Sequence, residues 1–163
     1  MYFKFWCGRI QWIYGGRIMT LTIGAHMSIA GGPVKAARNV IKMQANTMQF
    51  FSRNPRGSSY KEYEEKETEE FQRLRKEHGF GPLLAHAPYT MNLASADPRT
   101  YEFACQVIRE DTARMDALEI ENLVFHPGSH TGIGKEAGIR NIIAGLNQAM
   151  TGQEKICILL ETM

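Results

Sequence analysis

Five apolar, β-favouring runs begin near Leu21, Thr47, Pro82, Asn122 and Ile156, about 25 to 40 residues apart, and amphipathic segments fill the gaps between them. No other feature restricts the chain as much. Two successive strands separated by a helix-length segment are too far apart for a hairpin and pair in parallel, with the helices packed outside the sheet. The pattern predicts an α/β fold whose strand ends all face one way.

Helix signals agree. Gly31-Gly32-Pro33 opens a first helix that should bury Val34, Ala37, Val40 and Ile41. A charged second helix uses Tyr63, Phe71 and Leu74 as contacts and stops at Gly79, its acidic run from Glu62 to Glu70 forming a solvated face. Asp97-Pro98 caps a third helix carrying Phe103, Val107, Ile108, Met115 and Leu118. A fourth, from about Lys135 to Met150, should turn Ile139, Ile142, Ile143 and Leu146 inward. The sequence ends at Glu161-Thr162-Met163, straight after the fifth run. An open sheet ending there would carry a bare edge or face, so a TIM (β/α)8 barrel truncated after its fifth strand is the expected fold.

Composition sets the class. With 163 residues, 44% hydrophobic and 22% charged, the chain can bury one sizeable core. No apolar run approaches the roughly 20 residues of a membrane span. Formal charge is +2, and Lys4, Arg9 and Arg17 precede Met19 with no acid among them, so the remainder is nearly balanced and bulk charge predicts no polyanionic partner. Cys7, Cys105 and Cys157 are scattered without metal or disulfide spacing, which fits a reducing cytoplasm. Residues 1–19 make a poor signal peptide and read as sequence upstream of a natural start near Met19, or as an extra strand or hairpin turning at Gly15-Gly16; residues 20–163 form the domain.

In parallel α/β folds, chemistry gathers at the carboxyl ends of strands. The third, fourth and fifth runs end in His86, His126 and Glu161. Two neutral imidazoles and a carboxylate suit zinc and leave a coordination position for water or substrate. His26 lines the same mouth or forms a hydrogen bond, His130 is a loop or supporting group, and His78 is a helix C-terminal residue. The loop Ser52-Arg53-Asn54-Pro55-Arg56-Gly57 brings two guanidinium groups to that rim, where they suit a phosphate clamp. Tyr89 and Asn92 either stack on a sugar or base or pack their loop.

Taken together, IGAHMSIAGG (23–32), FFSRNPRG (50–57), HAPYTMNLAS (86–95), FHPGSHTGIG (125–134), AGIRNIIAGLN (137–147) and LLETM (159–163) resemble the amino-terminal half of the endonuclease IV family of apurinic/apyrimidinic endonucleases. The resemblance implies a zinc-dependent DNA repair hydrolase of the TIM-barrel fold that cuts double-stranded DNA 5′ to abasic sites. It implies three zinc ions in the complete site, with His86, His126 and Glu161 as ligands of one and Glu161 catalytic through a bridge to a second. It also implies DNA contacts from Arg56 and Tyr89, and the full-length protein is expected to be a monomer. The family's other ligands come from strands beyond the fifth, so this chain should complete at most one zinc site and be inactive alone. Two rival readings are a metal-dependent sugar isomerase or epimerase on the same barrel, and a non-catalytic half-barrel that binds DNA or self-associates.

Overall fold

A computed structural model describes residues 2–6, 9–14 and 17–162, giving only the strands for residues 2–20. Three short strands come first: β1 (Tyr2–Trp6), β2 (Arg9–Tyr14) and β3 (Arg17–Thr20), paired antiparallel in a sheet of their own. Tyr14 pairs with Arg17, and the turn expected at Gly15-Gly16 lies outside the described residues. The second sheet has the strand order β4 (Gly24–His26), β5 (Thr47–Phe51), β6 (Leu84–His86), β7 (Asn122–Phe125) and β8 (Cys157–Leu160). Its strands follow chain order, and helices α1 (Pro33–Lys42), α2 (Glu65–Glu77), α3 (Pro98–Ala117) and α4 (Lys135–Ala149) fill the connections. These are the five parallel strands and four helices predicted from the alternation.

The chain divides into two compact units, one of residues up to Phe50 with Tyr63–Leu83, the other of Phe51–Glu62 with Leu84 onward. In the first, β4 and β5 run parallel with Gly24 opposite Thr47. A side chain at Gly24 would put its Cβ 1.8 Å from the Thr47 carbonyl oxygen, so only glycine permits this approach. Asn46 pins the entry to β4, accepting from the Ile23 N–H (2.8 Å) and donating to the Leu21 carbonyl (3.1 Å). Met48 and Phe50 point into the core with Val40, Ala36 and Ala37 of α1 and Phe71 and Leu74 of α2. Val34 and Ile41, expected there, are only half-buried, and Tyr63 precedes α2.

Both helices of this unit end alike. At α2 the Phe80 N–H donates to the Arg75 carbonyl and the Gly79 N–H to that of Lys76, with Gly79 at φ 58°, a Schellman stop at the glycine read as its terminator. At α1 the equivalent bonds run from Ala45 to Val40 and from Gln44 to Ile41, with Gln44 at φ 57°. On its outer face α2 solvates its acids, Glu70 pairing with Arg73 (2.7 Å) and with Arg38 of α1 (3.3 Å).

In the second unit β6, β7 and β8 are parallel, with Leu84 opposite Asn122 and Phe125 opposite Leu160. Asp97 caps α3 by accepting from the Thr100 N–H at 2.8 Å. Val107, Ile108, Met115 and Leu118 are buried as expected, while Phe103 is half-buried. The face of α4 differs from expectation: Ile139 and Ile143 are 56% and 55% exposed, and the buried positions are Gly138, Gly145 and Ala149. Here the helix packs through its smallest residues. A Cβ on Gly145 would lie 2.7 Å from Leu93 Cδ2 and 3.3 Å from Cys105 Sγ, a closeness that hydrophobic periodicity, which ranks isoleucine above glycine, does not reveal. Among the described residues no helix is long and apolar enough to cross a membrane.

Candidate metal centre

The register of the second unit brings its three strand ends together. The ladder continues one step past each strand, the Ala87 N–H donating to the Val124 carbonyl (2.8 Å) and the Glu161 N–H to that of Phe125 (3.0 Å). His86, His126 and Glu161 therefore leave adjacent strands on one edge, each offering a donor atom, and those atoms all lie within 4.8 Å of one another. His86 Nε2 is 3.1 Å and His126 Nε2 3.8 Å from Glu161 Oε2.

Hydrogen bonding fixes what these atoms can do. His86 Nδ1 is 2.7 Å from the Ala87 carbonyl oxygen, which only accepts, so Nδ1 carries the proton. In the neutral ring Nε2 then presents a lone pair towards Glu161 Oε2, itself an acceptor. Two acceptors at this distance repel unless a proton on either group or a metal ion lies between or beside them. His126 Nδ1 is buried with no hydrogen-bond partner among the described residues, leaving Nε2 as the nitrogen that faces Glu161. Imidazole nitrogens and a carboxylate oxygen at one point are the donor set of a catalytic zinc site with an open position. The residues present fit that ion.

Aromatic rings wall the group. Phe51 meets His86 edge-on at 5.4 Å and Tyr89 at 5.3 Å, and Tyr89 stacks on His126 with centroids 6.0 Å apart and planes 27° from parallel. Tyr89 is 61% exposed, its ring covering the His126 imidazole while much of its surface meets solvent. The Tyr89 N–H donates to the Pro55 carbonyl at 3.0 Å, which ties the arginine-bearing loop to the centre.

The two arginines of that loop part company. Arg56 is exposed, its backbone N–H held by Asn54 Oδ1 (3.1 Å). Arg53 is no phosphate clamp: its side chain is 2% exposed and locked on Asp111 at 2.7 Å and Glu110 at 3.0 Å. Burial pulls the Arg53 pKa down, but the hydrogen bonds and charges of Asp111 and Glu110 outweigh it and leave the guanidinium more strongly basic than usual. A guanidinium saturated by two carboxylates has no face left for a ligand.

Asn92 packs its loop. It donates to the Ser129 carbonyl (2.9 Å) and accepts from the Ala94 N–H (2.9 Å), while the Leu93 N–H donates to the Pro127 carbonyl (3.1 Å). Gly128 lies against it at φ 105°, where a Cβ would fall 1.9 Å from Asn92 Oδ1. These bonds zip the loop after His86 to the loop after His126. His130 accepts from the Gly132 N–H through Nδ1 (3.2 Å) and packs its Cβ side on Gly138, a loop role. His78 is the C-cap residue of α2, and His26 closes β4 in the other unit.

Parallel strands with outer helices and a two-imidazole, one-carboxylate group at their carboxyl ends define a metal-capable α/β protein of the barrel class. Residues 37–163 match the family described as Xylose isomerase-like TIM barrel, and the chain belongs to that family. The resemblance to endonuclease IV stands as well. "Probable endonuclease 4" of Akkermansia muciniphila is 46% identical over 141 residues, which is 86% of this chain and 51% of that protein. The crystal structure of endonuclease IV from Thermus thermophilus superposes with a TM-score of 0.69 at 27% identity, over 83% of this chain and 50% of that one. A crystal structure of D-psicose 3-epimerase gives 0.61 at 14% identity, over 86% and 53%, and shares the fold. The chain spans about half the length of the curated relatives it matches.

Proposed function

We propose that this chain carries one zinc site of a DNA repair endonuclease that hydrolyses the phosphodiester 5′ to abasic sites in double-stranded DNA, and that residues 20–163 are the part that carries it. The observation behind the reading is the convergence of His86, His126 and Glu161 donor atoms within 4.8 Å. Identity directs it to DNA, since among the superposed structures endonuclease IV is 27% identical and D-psicose 3-epimerase 14%, and proteins named endonuclease 4 reach 46% in sequence. When bound there, zinc would lower the pKa of its water to about 7 and polarise a phosphoryl oxygen.

The remaining roles belong to the chain's own side chains. His86 and His126 supply Nε2, each ring held by its strand end and neighbouring rings. Glu161 would supply Oε2 to this group and, as the resemblance implies, would also serve a second ion. Exposed Arg56 pairs with backbone phosphate, and the free face of Tyr89 holds the duplex against the centre with the abasic nucleotide outside the stack. One ligand set occurs among the described residues, so the chain alone binds one zinc and does not incise. Free Cys105 and Cys157 support a cytoplasmic setting, and the full-length protein is read as a monomer.

The experiment is metal analysis of the folded chain, followed by binding and incision assays on a duplex with and without one abasic site, with a ketose as the competing ligand. One zinc per chain, preference for the abasic duplex and no incision are expected. A folded protein without zinc, or one that binds the ketose and ignores the duplex, overturns the reading, and rapid zinc-dependent cutting overturns the claim of inactivity.

A further inference from the structure

Asp111 is fully buried on α3, and both its oxygens are saturated. Oδ1 accepts from Arg53 Nη2 (2.7 Å), Arg53 Nε (3.0 Å) and Arg114 Nη1 (3.1 Å), and Oδ2 from the Ser52 hydroxyl (2.5 Å). Glu110 adds a second carboxylate on Arg53. Three further bonds from the two arginines go to one segment. Arg114 Nη1 reaches the Ser52 carbonyl (3.0 Å), Arg53 Nη1 that of Ser58 (3.2 Å), and Arg114 Nη2 that of Lys61 (3.1 Å). The Tyr60 ring packs against both guanidinium groups, at 4.9 Å from Arg53 and 4.1 Å from Arg114.

The start, middle and end of the 52–61 loop are thus fastened to a single buried carboxylate. Inside those points the loop closes on itself through the Asn54 N–H to the Ser59 carbonyl (2.9 Å), and Arg56 stands at its tip. Its base is fastened to the metal centre, because the Ser52 N–H donates to the His86 carbonyl at 2.9 Å. Two guanidinium groups and a carboxylate drawn out of water are seldom worth more to stability than an apolar cluster of the same volume. What such a cluster supplies is fixed geometry.

We infer that the Asp111-centred ion cluster is a positioning device that holds the 52–61 loop in one conformation on the His86 strand end, so that Arg56 is presented to a DNA phosphate already ordered. Asp111 is a positioning residue that acts through Arg53 and Arg114 and touches no substrate. The phosphate rests on the proposed function; the ordering of the loop does not.

The test is amide hydrogen exchange on the full chain with zinc, comparing wild type with Asp111→Asn. Exchange at the hydrogen-bonded amides of Asn54, Arg56 and Gly57 should rise at least about tenfold while one zinc per chain is kept, because loop opening becomes local. A folded Asp111→Asn protein whose loop exchanges as in wild type overturns the inference. If that variant does not fold, exposed Tyr60→Ala carries the same readout: faster loop exchange supports the inference, and unchanged exchange overturns it. With an abasic duplex, Arg56→Ala should weaken wild-type binding about tenfold but the Asp111→Asn protein less than about twofold, since one interaction cannot be lost twice. Wild-type protein that ignores the duplex removes the functional reading and leaves the exchange result to decide the loop.

Discussion

His86 Nε2 and Glu161 Oε2 face each other across 3.1 Å, although the same imidazole has already committed its Nδ1 proton to the Ala87 carbonyl. Neither atom of the contact is a donor in the neutral ring. Parallel register creates this opposition, since the bond from Glu161 N–H to the Phe125 carbonyl fixes how far the β8 end extends beyond β7. A shared cation would relieve it, and the second imidazole at 3.8 Å would suit a metal ion better than a proton.

The chain should therefore bind one zinc, and His86→Ala or His126→Ala should abolish it. Loss of a supporting group typically costs a metal site 10- to 100-fold in affinity, so loss of a direct ligand should exceed about 100-fold. Titration calorimetry checks this. Glu161→Gln keeps the volume but removes the charge and should weaken binding while leaving the fold intact, because Glu161 is exposed. Undiminished affinity in any of the three would remove that residue from the set.

A second prediction concerns the zip between ligand loops. Gly128→Ala adds a methyl group at φ 105° and drives it into Asn92 Oδ1, so the loop after His126 must move. Zinc affinity should fall about 10- to 100-fold with His86 untouched. Asn92→Ala, which only deletes the bonds to Ser129 and Ala94, should fall less. Equal zinc affinity in wild type and Gly128→Ala would show that the zip does not govern His126.

The convergence of His86, His126 and Glu161 is legible in the sequence because a parallel sheet converts a one-dimensional fact, which residue ends each apolar run, into a shared edge. Only the ends of β6, β7 and β8 are needed. Arg53 is not legible in the same way, because a loop arginine and a buried ion-pair arginine look alike in sequence, and its partner Asp111 lies 58 residues away. One signal exists: Asp111 sits among Ala104, Ile108 and Met115 on the buried stripe of α3, where an unpartnered carboxylate is too costly to keep. The face of α4 escapes for a different reason. Gly138 and Gly145 matter through the backbone approach they allow, and apolar periodicity does not register it.

Glu110 gives a pH prediction. Burial raises its carboxyl pKa, but hydrogen bonds from Gln106 and Arg53 and the charges of Arg53 and Arg114 outweigh burial and leave it below the ordinary 4.5. A lowered folded value means stability present above the unfolded pKa and lost as pH falls through the folded one. Acid denaturation should include a contribution beginning below about pH 4.5, and Glu110→Gln should show a shallower loss there. Arg53, being raised, adds nothing in this window, because its contribution would be lost only in strong alkali. Superimposable acid profiles for the two proteins would show that Glu110 gains nothing from its partners.

The last prediction concerns the stop of α1. Gln44 occupies the left-handed position of a Schellman ending at φ 57°, the place that Gly79 fills at φ 58° after α2. A Cβ there costs about 1 kcal/mol or more, and exposed Gln44 shows no side-chain hydrogen bond among the described residues that would offset it. Gln44→Gly should stabilise the chain by roughly 0.5–1 kcal/mol, the greater freedom of glycine in the unfolded chain taking back part of the gain. For a protein of this length that is about 1–4 °C in Tm. Gly79→Ala should move the midpoint down by a similar amount, and Gln44→Ala, which keeps the Cβ, should not move it up. Thermal and denaturant unfolding of the three variants decide the matter, and a Gln44→Gly protein less stable than wild type would show that the glutamine side chain contributes more than its backbone strain costs.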